Sequence, residues 1–250
     1  MMDLNRPWPL GLSRGTWWRF ALVFVVLLAL LAVIDRAASV YGQGLPEAAV
    51  RFFRVITDFG LSEWVLIPSL ALMLLCAGLT LVIRKWTPRL ALFEMAQLYG
   101  FIFVGVGLPG LMSNLIKRAL GRGRPEVFDQ VGAYGLTLFS NDVAYQSFPS
   151  GHTTTSFALA FVIGFISRRW FPWVLLVAAA VGVSRVVVGA HYPTDVLGGI
   201  VVGTLGAYMV RNFFASRRWV FRFDAAGRAR LRPWAAVRRL ARPKRKPQPL

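Results

Sequence analysis

Only two histidines occur in the 250 residues, and each stands among residue types suited to holding an oxyanion. His152 closes the turn Pro-Ser-Gly-His (149–152), directly in front of an apolar run. His191 lies in SRVVVGAHYPTD (184–195), between Arg185 and Asp195. A third cluster, KRALGRGRP (117–125), ends another apolar run with Lys117 and Arg124. Cations at the edge of apolar surface call for an anionic partner. Arginine offers forked donors that match phosphate oxygens, and lysine adds a compact charge. In the Pro-Ser-Gly-His turn, Gly151 lets the backbone approach a ligand closely, and a helix opening there would present free N–H groups to an anion. His191 and Asp195 are four residues apart, which in a helical turn puts the carboxylate beside the imidazole, where it fixes the tautomer and raises basicity. His152 is then a second titratable group, suited to donating a proton. Each piece alone has an ordinary reading as interfacial anchor, turn or structural hydrogen bond. Their conjunction carries the chemical reading, because both histidines fall inside two of the three clusters.

The elements that must bring these clusters together are apolar. The chain is 56% hydrophobic with a mean hydropathy of +0.54, and 16% of its residues are charged, against roughly 25% in soluble domains. Six apolar runs are visible at 20–34, 64–83, 90–116 (containing Glu94), 153–167, 170–184 and 196–210. A span needs about 20 residues, so the shorter runs must borrow flanking residues, with Trp17, Trp18, Trp170 and Trp173 at headgroup depth. The expected fold class is all-α, a six-span transmembrane helical bundle. Alternating the gaps between spans puts 21 of the 29 basic residues on one side, and the other side balances eight basic residues with eight acids. Lys and Arg collect on the cytoplasmic side, so both termini are expected there. All three polar clusters then emerge together on the extracytoplasmic face. The stretch 46–60 has helical apolar spacing and is expected at the outer interface.

The expected organisation is a cytoplasmic N-terminal segment at 1–16, the helical domain at 17–214 and a basic cytoplasmic tail at 215–250. The net charge of +18 is concentrated near the C-terminus, where residues 211–250 hold thirteen Lys and Arg against Asp224 alone. Proline-broken basic tails are usually disordered and solvated. The tail is expected on the anionic cytoplasmic leaflet, with no nucleic acid as partner. Cys76 is the one cysteine, which rules out an internal disulfide or a cysteine-based zinc site. Oligomeric state has no signature in this sequence.

The spacing K-x6-R-P, P-S-G-H, S-R-x5-H-x3-D over residues 117–195 resembles the three-part signature of the type 2 phosphatidic acid phosphatase superfamily, without a departure at any signature position. With the six-helix layout the resemblance extends over most of 17–214. It implies an integral membrane lipid phosphatase of a bacterial inner membrane that needs no metal or other cofactor. His191, oriented by Asp195, would attack phosphorus to form a phosphohistidine, and His152 would protonate the leaving group. Lys117, Arg124, Ser150, Gly151 and Arg185 would hold the phosphate oxygens. A single positioned acid or base supplies about 10²–10⁴ in rate, and phosphate monoester hydrolysis demands accelerations of up to ~10²¹. Most of the effect must therefore come from fixed donors and a covalent route.

The substrate partner implied is a lipid phosphate entering from the outer leaflet: phosphatidic acid, phosphatidylglycerol phosphate, undecaprenyl diphosphate or a lipid A phosphate. The loop 126–148, rich in aromatics and glycine, is expected to help form the headgroup pocket. Three competing readings are a soluble vanadate-dependent haloperoxidase with the same phosphate cradle, a non-enzymatic lipid-headgroup binding or transport protein, and an RNA-binding tail. The apolar runs argue against the first, and the paired His191 and Asp195 against the second.

Overall fold

A computed structural model describes residues 2–13 and 15–241 of the chain. Its first helix, α1 (Trp17–Gln43), continues well past the end of the first apolar run at residue 34. The charge at Asp35 does not end the helix, because that side chain is fully buried among polar partners from other elements. Next comes α2 (Glu47–Asp58), strongly amphipathic, with Thr57 turned inward and Phe52 and Val55 turned out. Thr57 Oγ1 and Ser184 Oγ lie 2.7 Å apart, tying α2 to α7 (Phe171–Val187).

Helices α3 (Glu63–Val82) and α4 (Trp86–Leu120) pack as an antiparallel pair. At 35 residues α4 is longer than the run 90–116 and spans about 52 Å at 1.5 Å per residue. It stops at Gly121, whose left-handed φ of +60° and donation to the Lys117 carbonyl make a C-cap. Any side chain at Gly121 would run into the Thr137 carbonyl. A one-turn helix, α5 (Phe128–Val131), interrupts the following loop. The last two long elements are α6 (Gly151–Ile166) and α8 (Pro193–Ser216).

The core lies between α4, α6 and α8, around Phe101, Phe157, Ala158, Phe161, Val162 and Tyr208. Close approach of α6 and α8 depends on two glycines of α8 in a small-x3-small arrangement. A Cβ at Gly199 would stand 2.7 Å from the Ser150 carbonyl, and one at Gly203 would strike the Thr154 carbonyl. Among the described residues, α1, the stretch Glu47–Val82, α4 and α8 are long and apolar enough to cross a membrane, while α6 and α7 are apolar but shorter. The fold is thus mostly helical, with four candidate spans where six were expected. Large apolar side chains cover the outside of α1, among them Leu22, Val23, Val26, Leu30 and Val33. A helix with that surface belongs in lipid.

The C-terminal segment differs from expectation. Residues 221–241 are not a loose tail: Phe221–Phe223 (β1) and Ala229–Leu231 (β2) form an antiparallel hairpin with Arg222 opposite Arg230, followed by α9 (Ala235–Ala241). The fold is therefore all-α apart from this hairpin. The reason lies in one apolar residue within the basic stretch. Phe221 is buried against Phe101 at a ring distance of 4.8 Å, while Arg222 points outward. The Glu94 carboxylate accepts from the Val237 backbone N–H at 3.3 Å, so the acid inside the third apolar run receives the start of α9. The N-terminal segment docks on the same end. Buried Arg211 donates to the carbonyls of Leu4, Arg6 and Pro7, and Ala229 N–H donates to the Asn5 carbonyl at 2.8 Å. The final basic run at 242–250 lies outside the described residues.

Candidate active site

The three sequence clusters meet in one cleft of about 520 Å³. Lys117 and Arg124 reach it from the end of α4 and the loop beyond, Gly151 and His152 from the start of α6, Arg185 from the end of α7, and His191 from the loop before α8. Lys117 Nζ would stand 3.2 Å from a Cβ at Gly151, so the ammonium sits directly over the first turn of α6. Ser150 precedes that turn in extended conformation without capping it through its side chain. The first N–H groups of α6 are therefore free to point at an anion, as at other helix N-termini. None of Lys117, Arg124 and Arg185 forms a salt bridge among the described residues. Buried Nε atoms of Arg124 and Arg185 have no hydrogen-bond partner among the described residues. Burial lowers the Arg124 guanidinium below its ordinary range. Three cations without a salt-bridge partner beside free N–H groups are an arrangement that can hold a multiply charged anion.

His191 is 2% exposed and Asp195 is fully buried behind it. The expected pairing is present in altered form. His191 stands outside α8 and Asp195 sits in its first turn, with Nδ1 and Oδ2 3.6 Å apart, beyond hydrogen-bond length. With Nδ1 facing the carboxylate, Nε2 is the ring nitrogen left for the cleft. Burial is the largest influence on the imidazole and, against the pull of Asp195, pushes its pKa down to about 4. The ring is then neutral at physiological pH.

Two of the expected contributors lie outside the lining. Ser150 does not line the cleft: its hydroxyl accepts from Thr153 Oγ1 at 3.0 Å, and its N–H donates to the Asp195 carbonyl at 3.0 Å. It joins the starts of α6 and α8 instead. The loop 126–148 also contributes nothing to the lining. It folds behind the site, where Arg124 N–H donates to the Ala144 carbonyl and Gly123 N–H to the Gly135 carbonyl. The opposite wall comes from the turn between α2 and α3, with Gly60, Ser62 and Glu63, and from Asn114 of α4. From Lys117 the lining turns apolar down α4 through Leu111 and Gly107 to Val106, joined by Leu66 of α3. Eleven residues of helix make that descent about 16 Å long.

The family model described as "PAP2 superfamily" matches residues 98–219. Over 228 residues the chain is 32% identical to a lipid A 1-phosphatase of Rhizobium etli, an alignment covering 89% of this chain and 94% of that protein. The chain belongs to the PAP2 superfamily. A lipid A 1-phosphatase of Rhizobium johnstonii is likewise 32% identical, over 96% of this chain and 97% of its own length. A phosphatidylglycerophosphatase B of Bacillus subtilis is 26% identical over 77% of this chain and 91% of its own length. With these relatives and its apolar helices, the chain is a membrane lipid phosphatase of the PAP2 type.

Beyond the PAP2 signature, the structure brings in residues that the sequence reading passed over. Gly60 packs on the α6 start so tightly that a Cβ there would stand 2.9 Å from His152 Cβ. Ser147 donates to Asp195 Oδ2 at 2.5 Å. Arg122, inside the x6 gap between Lys117 and Arg124, is turned away from the cleft onto Asp195 and Asp35. A signal for Asp35 did exist in the sequence, as an acid at the very edge of the first apolar run. Nothing in the local sequence connects it to a site more than 150 residues away.

Proposed function

We propose that this chain removes a phosphate from a lipid at the membrane surface through a phosphohistidine on His191, and that its substrate is the 1-phosphate of lipid A. One observation carries the chemistry: both histidines and all three signature cations line a single cleft. The lipid character rests on the gradient of that cleft, from cations at Lys117 to the apolar foot at Val106 and Leu66. Lipid A 1-phosphate is favoured over phosphatidic acid, phosphatidylglycerol phosphate and undecaprenyl diphosphate because both near-full-length relatives at 32% identity carry the lipid A 1-phosphatase name.

In the first step His191 Nε2 attacks phosphorus, the bond from phosphorus to the lipid oxygen breaks, and His152 gives its proton to that oxygen. In the second, water attacks phosphorus, His152 takes the water proton, the P–N bond breaks and phosphate leaves. Lys117, Arg124, Arg185 and the N–H groups of Gly151 and His152 spread the charge on the equatorial oxygens. The Asp195 carboxylate facing Nδ1 favours the tautomer with Nε2 free. The cations supply the electrophilic role that a metal has in other phosphatases, so the reaction is metal-independent. The chain crosses a bacterial inner membrane six times, with both termini cytoplasmic and the cleft facing the periplasm. The basic C-terminal segment lies on the anionic inner leaflet.

Purified protein in mixed micelles with lipid A, scored by released phosphate and by acid-quenched phosphoenzyme, tests this reading. His191→Asn should lose both signals, with turnover falling by about 10⁴-fold or more, and EDTA should change neither. Turnover in the His191→Asn protein, or activity removed by EDTA and restored by a divalent metal, would overturn it. Faster release from phosphatidic acid than from lipid A would overturn the substrate assignment alone.

A further inference from the structure

Behind the cleft lies a buried charge cluster that the PAP2 signature does not include. Arg122 is 6% exposed and uses its whole fork. Its Nε donates to the Ala133 carbonyl at 2.9 Å, one terminal nitrogen to Asp195 Oδ1 and Thr194 Oγ1 at 2.6 Å each, and the other to Asp35 Oδ2 at 2.9 Å. Its plane also lies over the Tyr192 ring, 4.6 Å from the centroid. Asp35, on α1, is fully buried and accepts from the Thr194 backbone N–H at 3.0 Å and the Thr194 hydroxyl at 2.6 Å. No residue of α1 lines the cleft, so Asp35 touches no substrate.

We infer that Asp35 and Arg122 are positioning residues for phosphoryl transfer: through Thr194 and Asp195 they set the orientation of His191. Three physical arguments support this. Arg122 occupies Asp195 Oδ1, so the carboxylate cannot rotate, and Oδ2 is left facing the Tyr192 N–H, the Ser147 hydroxyl and His191. Asp35 holds the other arm of the guanidinium and also the first turn of α8, which fixes Asp195 through its backbone. The cluster joins two carboxylates to one guanidinium, so one negative charge remains beside His191. That charge favours the imidazole as it takes on positive character on bonding to phosphorus. A fully neutralised cluster would not provide this, and a cluster lacking Arg122 would hold two adjacent buried carboxylates, one of which would protonate.

The inference rests on His191 as nucleophile, and the test separates the two claims. Full-length Asp35→Asn and Thr194→Val proteins are compared with wild type on lipid A micelles for kcat, KM and the single-turnover rate of phosphoenzyme formation. Asp35→Asn keeps the size and acceptor oxygen but removes the charge; Thr194→Val removes the bridging hydroxyl at constant shape. Each should lower kcat and the phosphoenzyme rate about 10–100-fold, the usual range for partners that orient a reacting group, with KM unchanged within about two-fold. Where Asp35→Asn does not yield folded protein, Thr194→Val decides. Wild-type kcat in either folded variant, or a raised KM at constant kcat, would overturn the inference. A lost phosphoenzyme in His191→Asn alongside unchanged Asp35→Asn and Thr194→Val would reject the positioning role and leave the nucleophile in place. Turnover in His191→Asn would reject the nucleophile itself.

Discussion

His191 illustrates how burial and charge act in opposite directions on one side chain. The nearby Asp195 favours the imidazolium, yet exclusion of water outweighs it and lowers the pKa from the ordinary 6.5 to about 4. The sign is clear. Above 6.5 the ring is neutral whether folded or not; between 6.5 and 4 the unfolded ring is charged and the folded ring is not. Stability therefore falls as pH drops through that window, while the folded ring stays mostly neutral until pH nears 4. Because the chain has only two histidines, histidine-selective isotopic labelling gives a readable spectrum. The resonance that disappears in His191→Asn should titrate near pH 4. Titration near 6.5 would mean that the ring is solvated and that the site is not closed as described.

Among the helices, α8 determines the geometry. Its start carries Thr194 and Asp195, its middle carries the glycines that admit α6, and its end carries Arg211, which grips the N-terminal segment. Gly203→Val should push α6 away and displace the turn that holds His152. Overpacking of this kind costs about 1–3 kcal/mol. The measurement is a lowered unfolding midpoint in micelles together with reduced activity in the protein that remains folded. The same element shows what the sequence reveals and what it hides. Short-range spacing made Lys117, Arg124, Arg185, His152, His191 and Asp195 visible, because each motif is one short continuous stretch at a helix end. Apolar runs located the helices but not their ends. Asp35 looked like the end of α1, yet its partners Arg122 and Thr194 let the helix continue to Gln43. The fate of Ser150 and of the loop 126–148 was equally out of reach, since both depend on hydrogen bonds between distant segments.

The whole molecule has two functional ends. Lys117 and Phe101 are sixteen residues apart on one helix, about 24 Å along its axis, and they mark the cleft and the hairpin dock respectively. Changes at the hairpin end should therefore affect folding and not turnover. Phe221→Ala removes a fully buried ring and should cost about 3–5 kcal/mol of stability. Thermal unfolding would record that loss, while phosphate release per folded molecule stays at the wild-type value. A fall in specific activity without a fall in stability would show that the two ends communicate.

The meeting of Leu4, Asn5, Arg6 and Pro7 with Arg211 and Ala229 also bears on biosynthesis. Residues 4–7 are translated more than 200 residues before the partners that bind them. These contacts can close only after Arg211 and Ala229 have been made, so residues 4–7 wait unpaired while the helices between them are synthesised. A chain cut off before residue 211 would leave the carbonyls of Leu4, Arg6 and Pro7 without the guanidinium that binds them.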